Sequence, residues 1–90
     1  MNKKHNIENI RIDIWLWYAR FFHTRKAAQL ICNNKQVRIN GNRILKASKT
    51  VKPGDILTFP YGQSIRVIQV IQLPTRRISS KIAKYLYEEK

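Results

Sequence analysis

The first apolar residues of the chain recur at the spacing of an amphipathic helix. Over residues 11–22 the apolar positions share one side of a helical wheel: Ile12, Trp15, Leu16, Ala19 and Phe22. Two charged residues, Asp13 and Arg20, fall on the opposite side. The pattern predicts a first helix over residues 11–22 that packs one side on a core and leaves Asp13 and Arg20 away from it.

A second helix is predicted to begin after Thr24 and to run to about Asn33. The Thr24 hydroxyl can accept a hydrogen bond from a free backbone N–H of the first turn, as N-cap residues do. The inner side of this helix is apolar and comprises Ala27, Ala28, Ile31 and Cys32. Asn34 follows as the expected left-handed C-cap.

Strand and turn signals follow between residues 36 and 71. Asn40-Gly41 is the strongest of them, because a type I′ turn needs positive φ at both central residues. It predicts a hairpin whose strands cover residues 36–39 and 42–45. Further turns are predicted at Pro53-Gly54 and at residues 61–63, and further strands at residues 56–59 and 65–71.

These elements predict an α+β fold in which two packed helices lie on a small, mostly antiparallel sheet. Residues 1–10 are expected to form a loose N-terminus and residues 11–73 a single domain. Pro74 breaks the last strand, so residues 74–90 are expected to form a C-terminal extension with a short helix near residues 80–89.

Size and composition narrow the functional class. Ninety residues suffice for one small domain and leave little room for a catalytic cleft beside a substrate domain. The hydrophobic content of 43% is too high for a disordered basic tail. The single cysteine, Cys32, excludes an internal disulfide and is typical of a protein in the reducing cytoplasm. No uninterrupted apolar run of about 18 residues occurs, so no membrane segment is predicted.

Positive charge is concentrated between residues 11 and 52. The chain has a net charge of +13, and this segment holds a single acid, Asp13. Its ten basic residues are Arg11, Arg20, Arg25, Lys26, Lys35, Arg38, Arg43, Lys46, Lys49 and Lys52. Charge of one sign on so small a fold favours a polyanion partner, nucleic acid or an anionic membrane. The alternative is a solvated face that only keeps the protein soluble.

The sequence offers little for catalysis. The five acids include no plausible general acid/base pair, the two histidines have no metal or triad partners at the usual spacing, and no Gly-rich phosphate loop occurs. We therefore expect no enzyme activity, no metal and no cofactor. The aromatic residues of the first helix are interpreted as core, with Trp17 or Phe21 as the ones that a partner could contact.

Several short motifs then occur in the order found in a known RNA-binding module. They are Arg11-Ile12-Asp13 with Leu16, Thr24-Arg25 with Ala28, Val37-x-Ile39-Asn40-Gly41, Ser48, and Pro53-Gly54-Asp55. Over roughly residues 11–60 the chain thereby resembles the RNA-binding domain named for ribosomal protein S4. The resemblance implies two helices packed on a small sheet, and binding to structured RNA.

A narrower resemblance is to the ribosome-associated heat shock protein 15 family. It is carried by Trp15-Leu16-Trp17, Ala19-Arg20-Phe21-Phe22, Lys46-x-Ser48-Lys49, Arg76-Arg77 and Leu86-Tyr87-Glu88-Glu89. It implies binding to large-subunit ribosomal RNA, on free large subunits that carry a nascent chain on transfer RNA. Two departures are that the family has Gly where this chain has Asn34-Lys35, and that its members continue beyond the Tyr-Glu-Glu segment as a long basic helix.

The resemblance also implies RNA contacts at particular positions. Carried over one by one, these are Arg11, Thr24, Arg25, Lys26, Gln29, Lys35, Asn40, Lys46 and Ser48. The charge pattern adds Arg20, Arg38 and Lys49 to the expected RNA-binding residues. Asp13 is expected to orient Arg25 or Arg20 rather than to touch RNA.

The expected partners are ribosomal RNA, the large ribosomal subunit, and transfer RNA on stalled subunits. We expect a cytoplasmic monomer that does not bind membranes. The alternative functions are ribosome assembly and general binding to structured RNA or to anionic surfaces. An RNA-modifying enzyme is disfavoured because no residues remain for a catalytic domain.

Overall fold

Residues 8–90 are described by the structure, a computed structural model, and they form three short helices and two antiparallel sheets. The helices are α1 (Ile12–Tyr18), α2 (Arg25–Asn33) and α3 (Ser80–Ala83), and a 3-10 turn (Lys84–Leu86) follows α3. The strands are β1 (Ile10–Arg11), β2 (Arg38–Ile39), β3 (Asn42–Arg43), β4 (Thr50–Val51), β5 (Ile56–Tyr61), β6 (Ser64–Val70) and β7 (Tyr87–Glu89). The predicted α+β class is confirmed.

The main sheet has the strand order β3-β2-β5-β6-β7, with all neighbours antiparallel. A second, two-stranded sheet joins β1 to β4, and Ile10 faces Val51 in it. The expected loose N-terminus therefore ends earlier than residue 10, and its residues 1–7 lie outside the described residues. The pairing of β1 with β4 places Arg11 and the start of α1 beside the segment after the hairpin.

Helix α1 ends four residues before the predicted boundary. Its backbone closes in a Schellman motif, in which Phe21 N–H donates to Leu16 O (3.1 Å) and Arg20 N–H donates to Trp17 O (3.1 Å). Arg20 adopts a left-handed conformation with φ of 69°. The reversal turns the Phe21 ring into the core, where it packs on Phe59. The expectation that Phe21 could be exposed is wrong. Of the two aromatic residues proposed for partner contact, only Trp17 is partly exposed.

Helix α2 is confirmed between its predicted ends. Thr24 Oγ1 accepts a hydrogen bond from Ala27 N–H (3.1 Å), as an N-cap does. Asn34 is the C-cap as predicted, but its predicted left-handed conformation is wrong, with φ of −85°. The left-handed residue is the next one, Lys35, with φ of 62°. Gln36 N–H donates to Ile31 O and Lys35 N–H to Cys32 O, so this end is again a Schellman motif.

Lys35→Gly is expected to raise the free energy of unfolding by up to about 1 kcal/mol, because glycine lacks the Cβ that strains a left-handed backbone. Urea unfolding of both proteins measures the change. Gln36→Gly is the matched control and is expected to destabilise. Equal or lower stability of the Lys35 variant would contradict the strain at this position.

The core fills the space between the helices and the sheet. Its largest fully buried side chains are Trp15, Phe59, Ile12, Leu16, Leu57 and Ile68. Trp15 also donates from Nε1 to Gln72 O (2.9 Å), which fixes the chain after β6 on α1. The predicted direction of Asp13 is wrong, since its side chain is fully buried.

The C-terminal extension is partly helical and partly strand. Only Ser80–Ala83 is α-helical, and Tyr87–Glu89 pairs with β6 where a helix was predicted to continue. Arg66 and Glu89 form a bidentate salt bridge, with Nε to Oε2 at 2.9 Å and Nη2 to Oε1 at 2.7 Å. Tyr87 packs on Phe21. The salt bridge between β6 and β7 and the packing of Tyr87 on the core favour the strand over the helix.

Candidate nucleic-acid interface

Two of the predicted RNA contacts converge on one buried carboxylate. Arg11 donates to both oxygens of Asp13 (Nε to Oδ1 at 3.1 Å, Nη2 to Oδ2 at 3.0 Å). Arg25 Nε lies 3.6 Å from Asp13 Oδ2. Asp13 is 0% exposed, whereas the Arg11 and Arg25 side chains are 40% and 41% exposed. The buried carboxylate of Asp13 thus positions the guanidinium groups of Arg11 and Arg25, which are both partly exposed to solvent.

The expected orienting role of Asp13 agrees with this geometry for Arg25 and not for Arg20. Arg25 is the first residue of α2, where the helix dipole and free N–H groups favour an anion. Its Nε is buried and has no hydrogen-bond acceptor within the described residues. The terminal nitrogens of Arg25 are left to bind a ligand, and a planar guanidinium suits a phosphate.

The hairpin places one further predicted contact, Arg38, in an unusual pairing. Arg38 and Arg43 are direct cross-strand partners between β2 and β3, and both are exposed. Like charges placed opposite each other destabilise a strand pair. A bound polyanion would relieve that repulsion. Arg43 was not among the predicted RNA contacts, although the short loop of the Asn40-Gly41 turn could have indicated this pairing.

Asn40 serves the fold in this structure. It has φ of 52° and Gly41 has φ of 84°, as the predicted turn requires. Asn40 Nδ2 donates to Asp55 Oδ1 (3.0 Å), and its Oδ1 accepts from Ile56 N–H (2.8 Å). Direct RNA contact by Asn40 stays a prediction, for which its second amide hydrogen and the second lone pair of its Oδ1 remain.

The Asp55 carboxylate links the hairpin to the turn that precedes β5, because it accepts from both Asn40 Nδ2 and Lys52 N–H. Burial raises the pKa of its carboxyl, and the Lys52 backbone N–H, the Asn40 amide and the Lys52 ammonium outweigh burial, so the net pKa is lowered. The carboxylate therefore stays charged at neutral pH. A lowered pKa means that its contribution to stability is present at neutral pH and is lost as the pH falls through the folded-state value.

A groove of about 770 Å³ lies between the hairpin and the segment that leads to β4. Its polar lining includes Asn42, Arg43, Lys46, Ser48, Lys49 and Lys52. Four predicted contacts line this groove: Asn40, Lys46, Ser48 and Lys49. Lys52 was not among the predicted contacts and also lines the groove, where its Nζ pairs with Asp55 (3.2 Å).

The remaining predicted contacts are spread over α2 and beyond it. Lys26 is exposed and Gln29 half-buried, while Lys35 lies exposed just past the other end of the helix. Thr24 uses its hydroxyl oxygen as the N-cap. Arg20 is separated from the Asp13 cluster, because its Nε donates to Ile78 O (2.8 Å).

Four of the five acids of this molecule pair with basic residues, and two of those four are buried. Asp13 and Asp55 are buried and paired with basic residues, Glu89 pairs with Arg66, and Glu88 pairs with Lys90. Over residues 8–90 no group of three or more His, Cys, Asp or Glu could hold a metal ion, and no helix is long and apolar enough to cross a membrane. The interface is an electropositive surface with prearranged donors.

The chain is similar in sequence to a known domain family and to several known proteins. The model of the S4 domain family matches residues 10–57. The heat shock protein 15 homolog of Aeromonas salmonicida is 36% identical over 88 residues, which are 98% of this chain and 66% of that protein. The RQC P-site tRNA stabilizing factor of Bacillus subtilis is 39% identical over 64 residues, covering 71% of this chain and 73% of that protein.

A solved structure agrees with the fold as well. The trimeric structure of Vibrio cholerae heat shock protein 15 has a TM-score of 0.86 and 35% identity, and the match covers 92% of this chain and 83% of that one. The chain spans 62–66% of the length of the curated heat shock protein 15 relatives. The resemblance carried by the sequence motifs is confirmed: this chain belongs to the S4 domain family.

Proposed function

We propose that this protein binds structured ribosomal RNA on the large ribosomal subunit. The observation that carries the proposal is a coincidence of three features within residues 10–57. This segment matches the S4 domain, and it contains all ten basic residues found between residues 11 and 52. It also contains the Arg11–Asp13–Arg25 cluster and most of the groove.

The chemistry of the surface favours recognition of RNA backbone and shape. A-form RNA hides its base edges in a deep major groove and presents phosphates and 2′-hydroxyl groups. Guanidinium groups held on Asp13 and ammonium groups along the groove suit phosphates, and Ser48 suits a hydroxyl. Because each neutralised phosphate releases counterions, affinity should fall steeply as salt rises. The role is binding, with no chemical step.

The names of the relatives suggest a more specific setting. One is a factor that stabilises tRNA in the P site, and several are heat shock proteins. We infer that this protein acts in the cytoplasm on large subunits that still carry a nascent chain on transfer RNA. The expected monomeric state stays a prediction, which light scattering can test; the Vibrio cholerae relative is a trimer in its structure.

Arg25→Ala is expected to weaken binding to deproteinised large-subunit ribosomal RNA by about 1–3 kcal/mol, as for a charged hydrogen bond. Fluorescence anisotropy at physiological ionic strength measures this change, and circular dichroism checks the fold. Lys90→Gln is the matched control, because it also removes one charge and its pairing with Glu88 is exposed. Unchanged affinity of a folded Arg25 variant would remove Arg25 from the interface.

The partner is tested by competition in the same assay. Large-subunit RNA should bind more tightly than duplex DNA of equal length. Equal affinity for both would indicate a general anionic-surface binder and would contradict the proposed function.

A further inference from the structure

The turn between α1 and α2 is held by a strap of C-terminal residues, 75–79. Arg77 donates from Nε to Trp17 O (3.0 Å) and from Nη2 to Phe22 O (3.2 Å), and its guanidinium lies 5.5 Å from the Trp17 ring centroid. Arg20 reaches back to Ile78 O. Two arginines from distant parts of the chain are thereby fixed side by side.

Arg20 and Arg77 have no acidic partner within residues 8–90. Each is held by backbone carbonyls, and within residues 8–90 neither lies within 4.0 Å of a carboxylate. By contrast, Arg11 and Arg25 pair with Asp13, and Arg66 pairs with Glu89. Burial and the nearby charge of Arg20 lower the pKa of Arg77, which agrees with their closeness. The fold fixes a like-charge pair without an internal counter-charge.

The surroundings of the pair add charge of the same sign. Residues 72–86 contain four basic residues and no acid: Arg76, Arg77, Lys81 and Lys84. All of these except Arg77 are exposed, as is Arg20. Arg77 uses Nε and Nη2 in the fold, whereas Arg20 uses only Nε within residues 8–90. Guanidinium groups fixed in this way suit phosphates, which they bind through forked hydrogen bonds.

The patch is continuous with the interface on α2. A second bond from Arg77 Nη2 reaches His23 O (3.5 Å), and His23 directly precedes the N-cap Thr24. An RNA backbone bound at Thr24 and Arg25 therefore has the strap beside it. The strap lies outside residues 10–57, which are those that match the S4 domain.

We propose that Arg20, Arg76 and Arg77 form a second phosphate-binding site, which extends the RNA footprint from α2 onto the C-terminal strap. The inference rests on the proposed RNA binding and adds the position and chemistry of a second contact. The shared carbonyl bonds make the strap a prearranged part of the interface.

The test uses Arg20→Gln/Arg76→Gln in the full chain. Arg77 is kept because it donates to three backbone carbonyls around the turn, whereas Arg20 makes a single bond to the strap. Large-subunit ribosomal RNA is the probe, and affinity is measured over a series of salt concentrations. The double variant is expected to bind about 10-fold or more weakly and to lose about 1.4–1.8 from the slope of log K against log salt, for two phosphate contacts. Arg76→Gln alone, which disturbs no bond within residues 8–90, should lose about half of that slope.

Lys90→Gln is again the control for net charge and should retain most of the slope. If Arg25→Ala weakens binding while both strap variants match Lys90→Gln, the second site is overturned and the proposed function stands. If the unmodified protein fails to bind the RNA, both proposals fail. If the strap variants lose binding to vesicles of phosphatidylglycerol and phosphatidylcholine with RNA affinity unchanged, the patch is a lipid site and the proposal is wrong.

Discussion

Replacing Asp13 by asparagine is expected to lower the free energy of unfolding by about 3 kcal/mol, the lower end of the range for breaking a buried ion pair. The carboxylate is fully buried and accepts from Arg11 and from Ile14 N–H (2.8 Å). An amide cannot accept all of these bonds, and its own hydrogens would face two cations. The loss stays at the low end because both arginines can turn to water. Urea unfolding measures it.

The same variant tests whether Asp13 positions the interface. Glu88→Gln is the matched control, since it removes one exposed acid whose ion pair contributes little. Removing an acid should by itself strengthen RNA binding slightly, and we expect that in the control. Under conditions where both variants are folded, Asp13→Asn should instead bind more weakly, because Arg11 and Arg25 lose their fixed positions. Equal gains in affinity would contradict a positioning role.

Trp15→Ala is expected to lower the free energy of unfolding by about 3–5 kcal/mol, as for other large buried aromatic residues. Trp15 is fully buried, packs near Phe21, and ties Gln72 to α1 through its indole N–H. A domain of this size has a total stability of about 5–10 kcal/mol, so the variant should be largely destabilised. Thermal and urea unfolding followed by circular dichroism measure the effect.

Trp15→Phe separates the indole bond from the packing. It retains most of the ring and loses the N–H donor, so we expect a smaller cost of about 1–2 kcal/mol, with a small cavity added. Equal losses for both variants would mean that the bond to Gln72 outweighs the packing. A loss below about 1 kcal/mol in Trp15→Ala would contradict its central place in the core.

Local signals in the sequence were enough for the elements whose geometry is set locally. Thr24 caps α2 because its hydroxyl lies within reach of its own helix. The turn at Asn40-Gly41 forms because both residues tolerate positive φ. These features depend on a few neighbours in the chain, and the predicted fold class followed from their order.

Features set by distant partners could not be predicted in this way. The buried Asp13 pairs with Arg11 and Arg25, and a helical wheel of residues 11–22 does not contain Arg25. Residues 87–89 form a strand because the edge of β6 is there to pair with them. Their helical pattern gave no sign of that edge.

The candidate site shows the same division. Charge and resemblance predicted RNA contacts among the polar and basic residues of α2, the hairpin and the segments beside them. In the structure Arg11 and Arg25 both lie at Asp13, and Lys46, Ser48 and Lys49 line one groove. Their RNA contacts stay predictions. The role of Arg77 was out of reach, because its acceptors lie more than fifty residues away in sequence.

Sedimentation of the tagged protein through a sucrose gradient tests the central claim most directly. Lysates would be compared before and after translation is stalled, with Arg25→Ala run in parallel. We predict that the protein sediments with free large subunits, that this fraction rises when nascent chains are stalled, and that Arg25→Ala shifts it toward the top. Protein that stays at the top in both lysates, or that sediments equally with both subunits, would contradict binding to the large subunit.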